Sequence, residues 1–384
     1  MKRVESIDIV RGLVMIIMAL DHTRDFLHIN SLSQNPTDLA TTDPALFFTR
    51  WITHLCAPTF VFLSGVSAFL TCKRNENISE TRKYLLTRGF LLILMDFTIE
   101  NFGIWFDVHF SIFFWNVLSA IGFGFIILSL LLRLNSKLIA GLGLMIIFLH
   151  NAIPLLPIAE NVQKSLGFLF ATAVFPFGEK VLIFGYSPVP WLGILLTGFG
   201  FGQLFLEDIL SRKKKFLYIG LVSLLLFVVL RFLKVYGDPS IWSTQKDQLF
   251  TFLSFINVTK YPPSLLFCLM TLGIMFLLLY FVEGFKNKLT EIFSVFGKVP
   301  LFYFLVHWYI IHPVLFIILL FQGFQFSEFS FGDRFGRPKD VKSGVSLLWV
   351  YVFWILLVIV MYPLCKWYFR YKNEHKEKKW LRYI

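Results

Sequence analysis

The stretch RGLVMIIMALDH, Arg11 to His22, runs directly into Thr23-Arg24-Asp25. It has the length and apolarity of a membrane-crossing helix, with an arginine near one end and an aspartate–histidine pair near the other. At 3.6 residues per turn, Arg11 and His22 fall within about 20° of one face and ~16 Å apart along the axis. Asp8, Arg11, Met15, Met18, His22 and Asp25 step by three and four, so the helix carries one polar seam. Ionisable groups at bilayer depth are costly unless paired or solvated, so this seam is expected to face protein or a water-filled cavity.

The rest of the chain places that helix in a larger bundle. Of 384 residues, 57% are hydrophobic and 16% charged, more apolar and less charged than a soluble domain. Apolar runs of roughly 18–25 residues, enough to cross the hydrocarbon core, recur with polar breaks. They are expected near Ile9–Leu27, Phe48–Thr71, Leu86–Phe106, Ile112–Leu132, Leu138–Ile153, Val189–Leu206, Leu217–Leu233, Leu265–Val282, Leu301–Phe321 and Val345–Leu364. The fold class is therefore all-α, a polytopic transmembrane helix bundle of about ten spans. It forms one domain over residues 1–365, followed by a basic tail, 366–384. Residues 166–190 are expected to include a re-entrant or interfacial helix.

A formal net charge of +12 invites a nucleic-acid reading, but the bases cluster beside apolar spans. Lys73-Arg74, Arg82-Lys83, Arg212 to Lys215, Lys286, Lys288 and the tail occupy alternate loops, the pattern of segments facing anionic lipid. Both termini are thus expected on the cytoplasmic side, with no nucleic acid as partner. Cys56, Cys72, Cys268 and Cys365 show neither disulfide nor zinc spacing, and no metal site is expected. The basic head lacks a small-residue cleavage site, so the first span is expected to stay.

Further ionisable residues sit in other spans. His54 lies in the second, with Pro58 breaking the backbone ladder just beyond it. Asp96 and Glu100, four apart on the third, would repel unless a proton or a cation from another helix intervenes. His307 lies in the ninth, with Tyr303 one turn before it. Five such groups on four helices at a common depth point to a functional cavity. A histidine flanked by a carboxylate suits general-base activation of an amine or hydroxyl, with His22 tuned by Asp21 or Asp25; neutral imidazole can also be acylated itself. A proton-coupled transporter using Asp96, Glu100 and His307 is the alternative.

SIDIVRGLVMIIMALDHTRDF followed by APTFVFLSGVSAFL resembles the opening helices of the heparan-α-glucosaminide N-acetyltransferase catalytic-domain family, including its bacterial members. The arginine, ten intervening residues and histidine are also similar to a motif of the wider transmembrane acyltransferase superfamily. KYPPSLLFCLMTLG, Lys260 to Gly273, and GKVPLFYFLVHWYI, Gly297 to Ile310, resemble later family segments. The resemblance implies transfer of an acetyl group from cytosolic acetyl-CoA to an amino sugar or glycan hydroxyl on the other side of a membrane, in this case the bacterial inner membrane. It puts His22 in the place of the motif histidine, with Arg11 as its partner and His307 as a second pocket residue. The animal enzyme's loop histidine has no clear counterpart, and the catalytic choice stays open among His22, His28 and His54. Arg11, Arg82, Lys83, Arg88 and Lys298 are the candidates for holding the donor's phosphates, and Asp96, Glu100, Tyr303, Lys260 and Ser264 for the acceptor. A homodimer is compatible with this reading.

Overall fold

The computed structural model describes residues 3–75, 77–157 and 159–383. All ten expected spans are helical over most of their length, and they are labelled here as bundle helices: α1 (Glu5–Leu27), α2 (Pro44–Asn75), α3 (78–105), α4 (Val117–Leu131), α5 (Ser136–Pro154), α6 (Pro188–Leu206), α7 (Ile209–Leu233), α8 (Leu265–Val282), α9 (Pro300–Phe321) and α10 (Leu347–Glu374). Seven of these are long and apolar enough to cross a membrane. The other three are α1 and α3, which carry the intramembrane charges, and α4, which is shorter at 15 residues. The protein is an all-α polytopic membrane bundle.

Local chemistry sets the helix ends and their breaks. Asp43 caps α2 by accepting from the Leu46 N–H, with Pro44 at the first helical position. Residues Ile52–Leu55 tighten into a 3₁₀ turn. The cause is Pro58, which has no N–H to offer the His54 carbonyl one turn back. Asn77 caps α3, which widens into a π-helical turn over Asp96–Glu100. α10 runs through 365 as far as Glu374, so the basic tail begins as helix.

Three expectations need correction. The fourth span does not begin as helix: Ile112–Trp115 is a strand, β1, and α4 starts only after Asn116. In place of the expected re-entrant or interfacial helix, the 166–190 segment has only the end of a short helix (Glu160–Leu166) and a 3₁₀ turn (Gly167–Leu169) before a hairpin, β2 (Ala173–Phe177) and β3 (Lys180–Phe184), which turns through Gly178 at φ +62°. β3 pairs antiparallel with β2 and parallel with β1, Ile112 opposite Val181 through Trp115 opposite Phe184. Aromatic and β-branched residues favour the extended form once strands pair. The basic connection containing Lys288 is a helix, Lys288–Lys298, rather than a loop.

In lipid, apolar surface gives little drive for helix association, so close packing carries the bundle. The helix Lys288–Lys298 crosses α1 at Gly12 and Gly297; a Cβ at either would lie 1.8 Å from the facing carbonyl oxygen, of Phe293 or Asp8. Gly65 of α2 and Gly198 of α6 meet in the same way, and Gly200 and Gly202 abut Ala140 and Phe69, so the glycines of the stretch Thr197 to Gln203, TGFGFGQ, serve helix packing. α7 and α10 turn exposed residues such as Leu210, Leu225, Leu348 and Ile359 outward, as lipid contact requires.

Candidate active site

α1 threads three cavities in sequence. At its basic end, Arg11 and Met15 line a cavity of about 290 Å³, together with Arg3, Arg88, Lys298 and Lys372. Next, Met18, Asp21 and His22 line a small chamber of about 40 Å³. Last, Arg24 and Asp25 line an outer vestibule of about 800 Å³ that also reaches His54, Arg50, Asn257 and Thr259. From Arg11 onward the polar seam of α1 thus faces cavities. Phe60, Val117 and Phe304 border both the basic cavity and the chamber, and Lys260 borders both the chamber and the vestibule.

At the chamber, His22 Nδ1 lies 2.7 Å from His307 Nε2, and His307 Nδ1 lies 3.2 Å from the Tyr303 carbonyl oxygen. A carbonyl can only accept, so in the neutral pair His307 carries its proton on Nδ1 and accepts at Nε2. His22 must then donate from Nδ1, which leaves its Nε2 lone pair free. The Trp308 ring stacks on His22 at 4.1 Å between centroids and fixes the imidazole plane.

Asp21 anchors the chamber's outer rim. It accepts from Arg24 Nη2 at 2.8 Å and from Arg50 Nη1, and Arg24 also donates to Asp25 at 2.7 Å. Lys260 has no carboxylate within ion-pair distance among the described residues; its ammonium sits 5.0 Å from the Tyr261 ring centre. Three cations, Arg24, Arg50 and Lys260, therefore meet two carboxylates, Asp21 and Asp25. The chamber is completed by Thr53, Cys56, Asn116 and Tyr186. Tyr186 is delivered by the end of β3, where its N–H and that of Gly185 donate to the Trp115 carbonyl.

The remaining candidates divide. Arg11 donates to Ser67 Oγ at 2.8 Å and to the Leu63 carbonyl, while Asp8 pairs with Arg3 rather than with Arg11. Arg88 and Lys298 do line the basic cavity; Arg82 and Lys83 do not, because Arg82 turns to the Ser129 carbonyl and Lys83 points outward. Arg3 and Lys372 take their place, the latter because α10 continues past 365. His54 reaches the vestibule, whereas His28 lines none of these cavities. Ser264 caps α8 and donates to Asp238, and Tyr303 contributes its carbonyl from behind His307.

Asp96 and Glu100 are buried and line none of these three cavities. Asp96 Oδ2 accepts the backbone N–H groups of Asn116 and Ser119 at 2.8 and 3.1 Å, and Glu100 Oε1 accepts from Asn116 Nδ2 at 2.6 Å. Together they hold the N-terminus of α4 against the chamber. No cation from another helix lies between them among the described residues. Sequence reasoning missed Arg50, Asn116 and Tyr186, since only the fold brings Arg50 to Asp21 and the other two to the chamber beside His22.

Residues 3–237, which supply α1 and most of the chamber wall, match the family described as heparan-alpha-glucosaminide N-acetyltransferase, catalytic. The chain belongs to this family. Membership places it among membrane acetyltransferases. The match ends before Lys260 and His307, so those two join the heparan-alpha-glucosaminide N-acetyltransferase region by packing against it. No curated protein shows significant similarity to the chain.

Proposed function

We propose that the protein takes acetyl-CoA at its basic, cytoplasmic face and transfers the acetyl group to an amine or hydroxyl of a sugar presented at the opposite face, in the cytoplasmic membrane of a bacterium. The observation that carries this reading is that His22, whose Nδ1 is engaged by His307, lines a chamber between a basic cavity and a polar vestibule. Arg11, Arg88, Lys298 and Arg3 supply cations for phosphates, and Met15, Leu118 and Phe125 an apolar wall for the donor's arm.

His22 Nε2 removes the proton from the attacking amine or hydroxyl, whose lone pair forms the new bond to the acetyl carbon. The carbon–sulfur bond then breaks, and the departing thiolate takes that proton to leave as CoA thiol. Lys260 and the second side-chain N–H of Asn116, both on the chamber wall, are the donors this reading assigns to the oxyanion of the tetrahedral intermediate. His307 acts by fixing the His22 tautomer. Asp21, held by Arg24 and Arg50, keeps the rim closed and charged.

The test is transfer across a reconstituted membrane, with labelled acetyl-CoA on one side of proteoliposomes and methyl α-glucosaminide trapped on the other. Labelled N-acetyl product in the trapped pool, lost in His22→Ala, is the expected result. Movement of the glucosaminide itself, with no dependence on acetyl-CoA, would overturn the reading in favour of transport.

A further inference from the structure

His22 lines the chamber and not the basic cavity, so an acyl group carried from the basic cavity to the nucleophile at His22 passes the residues common to both spaces: Phe60, Val117 and Phe304. We propose that these three side chains form a partition that admits a two-carbon acyl group to His22 and excludes longer chains, so that they set the donor's acyl length. The proposal rests on the acetyl-transfer reading of this site.

Size is the first argument. The chamber holds about 40 Å³, and a water needs about 10–15 Å³ by the same measure, so it accommodates only a few heavy atoms. An acetyl carbonyl and its methyl fill such a space, and two further methylenes would overfill it.

Rigidity is the second. The Phe304 ring meets His22 edge-on at 6.5 Å and packs against His307 at 5.8 Å and Trp308 at 6.3 Å, so it belongs to the same ring cluster as the base. Val117 is the first residue of α4, whose N-terminus Asp96 clamps through the Asn116 and Ser119 N–H groups. That gives Asp96 and Glu100 a purpose without contact to substrate: they position one side of the partition. Phe60, on α2 and half-buried, completes it. A close-packed interior yields little to an extra methylene, and pockets of this kind discriminate by about tenfold or more per methylene.

The experiment is calorimetric binding of CoA and of acetyl-, propionyl-, butyryl- and hexanoyl-CoA to the purified protein, repeated with Phe60→Ala and Phe304→Leu. Ratios are read within each protein, so a general loss of affinity cancels. Wild type should bind acetyl-CoA about tenfold more tightly than propionyl-CoA and about a hundredfold more tightly than butyryl-CoA, and Phe60→Ala should reduce or invert those ratios. Phe304→Leu should shift them in the same direction if Phe60→Ala does not fold. Affinity that rises steadily with chain length in wild type would overturn the proposal, since the acyl group would then lie in the basic cavity. So would variants whose profiles run parallel to wild type. Both of those outcomes leave donor binding, and with it the acetyl-transfer reading, intact. Absence of binding by CoA and every acyl-CoA to folded wild type would instead overturn the acetyl-transfer reading, and the partition with it.

Discussion

Two buried polar clusters lie close together in this bundle, and they do opposite things. Around His22 the ionisable groups border open space: the imidazole faces the chamber, and Asp25, Arg50 and His54 face the vestibule. Asp96 and Glu100 line none of these spaces, and Asp96 Oδ2 and Glu100 Oε1 end on the N–H groups of Asn116 and Ser119 and on the Asn116 amide. From sequence both look alike, acids and histidines at bilayer depth. What separates them is whether a cavity reaches the charged atoms, because only then can a substrate replace the protein's own partners.

The sharpest way to break this contrast is at His22. His22→Ala should lower acetyl transfer by about 10²–10⁴-fold, the usual worth of a positioned general base, with the protein still folded by size-exclusion profile. His307→Gln should cost about 10–100-fold, because the tautomer of His22 is no longer imposed. Its signature is a changed pH–rate profile, which loss of packing alone would not produce.

The second cluster should answer in stability instead. Asp96→Ala leaves two buried N–H groups without an acceptor and should lower unfolding stability in detergent by about 1–3 kcal/mol. An Asp96→Ala protein as stable as wild type but with the activity loss of His22→Ala would erase the distinction between the clusters.

The smallest effect is expected outside the bundle, at His28. Burial, followed by the positive charges of Arg24 and Arg337, lowers its pKa below the ordinary histidine value. The unfolded chain therefore binds the proton more readily than the folded one. The contribution is fully present above the unfolded value of about 6.5 and is lost as pH falls below it towards the folded value. Thermal unfolding of wild type and His28→Gln across this range should differ by a shallow slope, steeper in wild type.

Much of this architecture was legible in the sequence. Long apolar runs located all ten helices, since a helix is the one open-ended way to satisfy backbone groups in hydrocarbon. The stepping of Arg11, Met15, Met18, His22 and Asp25 showed which side of α1 meets cavities, because helical period alone fixes that face. Pro58 foretold the break beside His54. The strands at 112–115 and 173–184 were not legible, as short aromatic runs suit helix and strand equally until a partner strand is present.

The sequence by itself thus determined an all-α membrane bundle, the polar seam of α1 and the resemblance to a family of acetyltransferases, all of which depend on local period, length and motif. Only the tertiary structure decided that His307 bonds His22, that Arg50 and Arg24 share Asp21, that Arg82 and Lys83 miss the basic cavity, and that Asp96 and Glu100 clamp α4. These are contacts between groups up to 285 residues apart. Their partners are chosen by how helices cross in lipid, where packing rather than apolar burial sets the geometry.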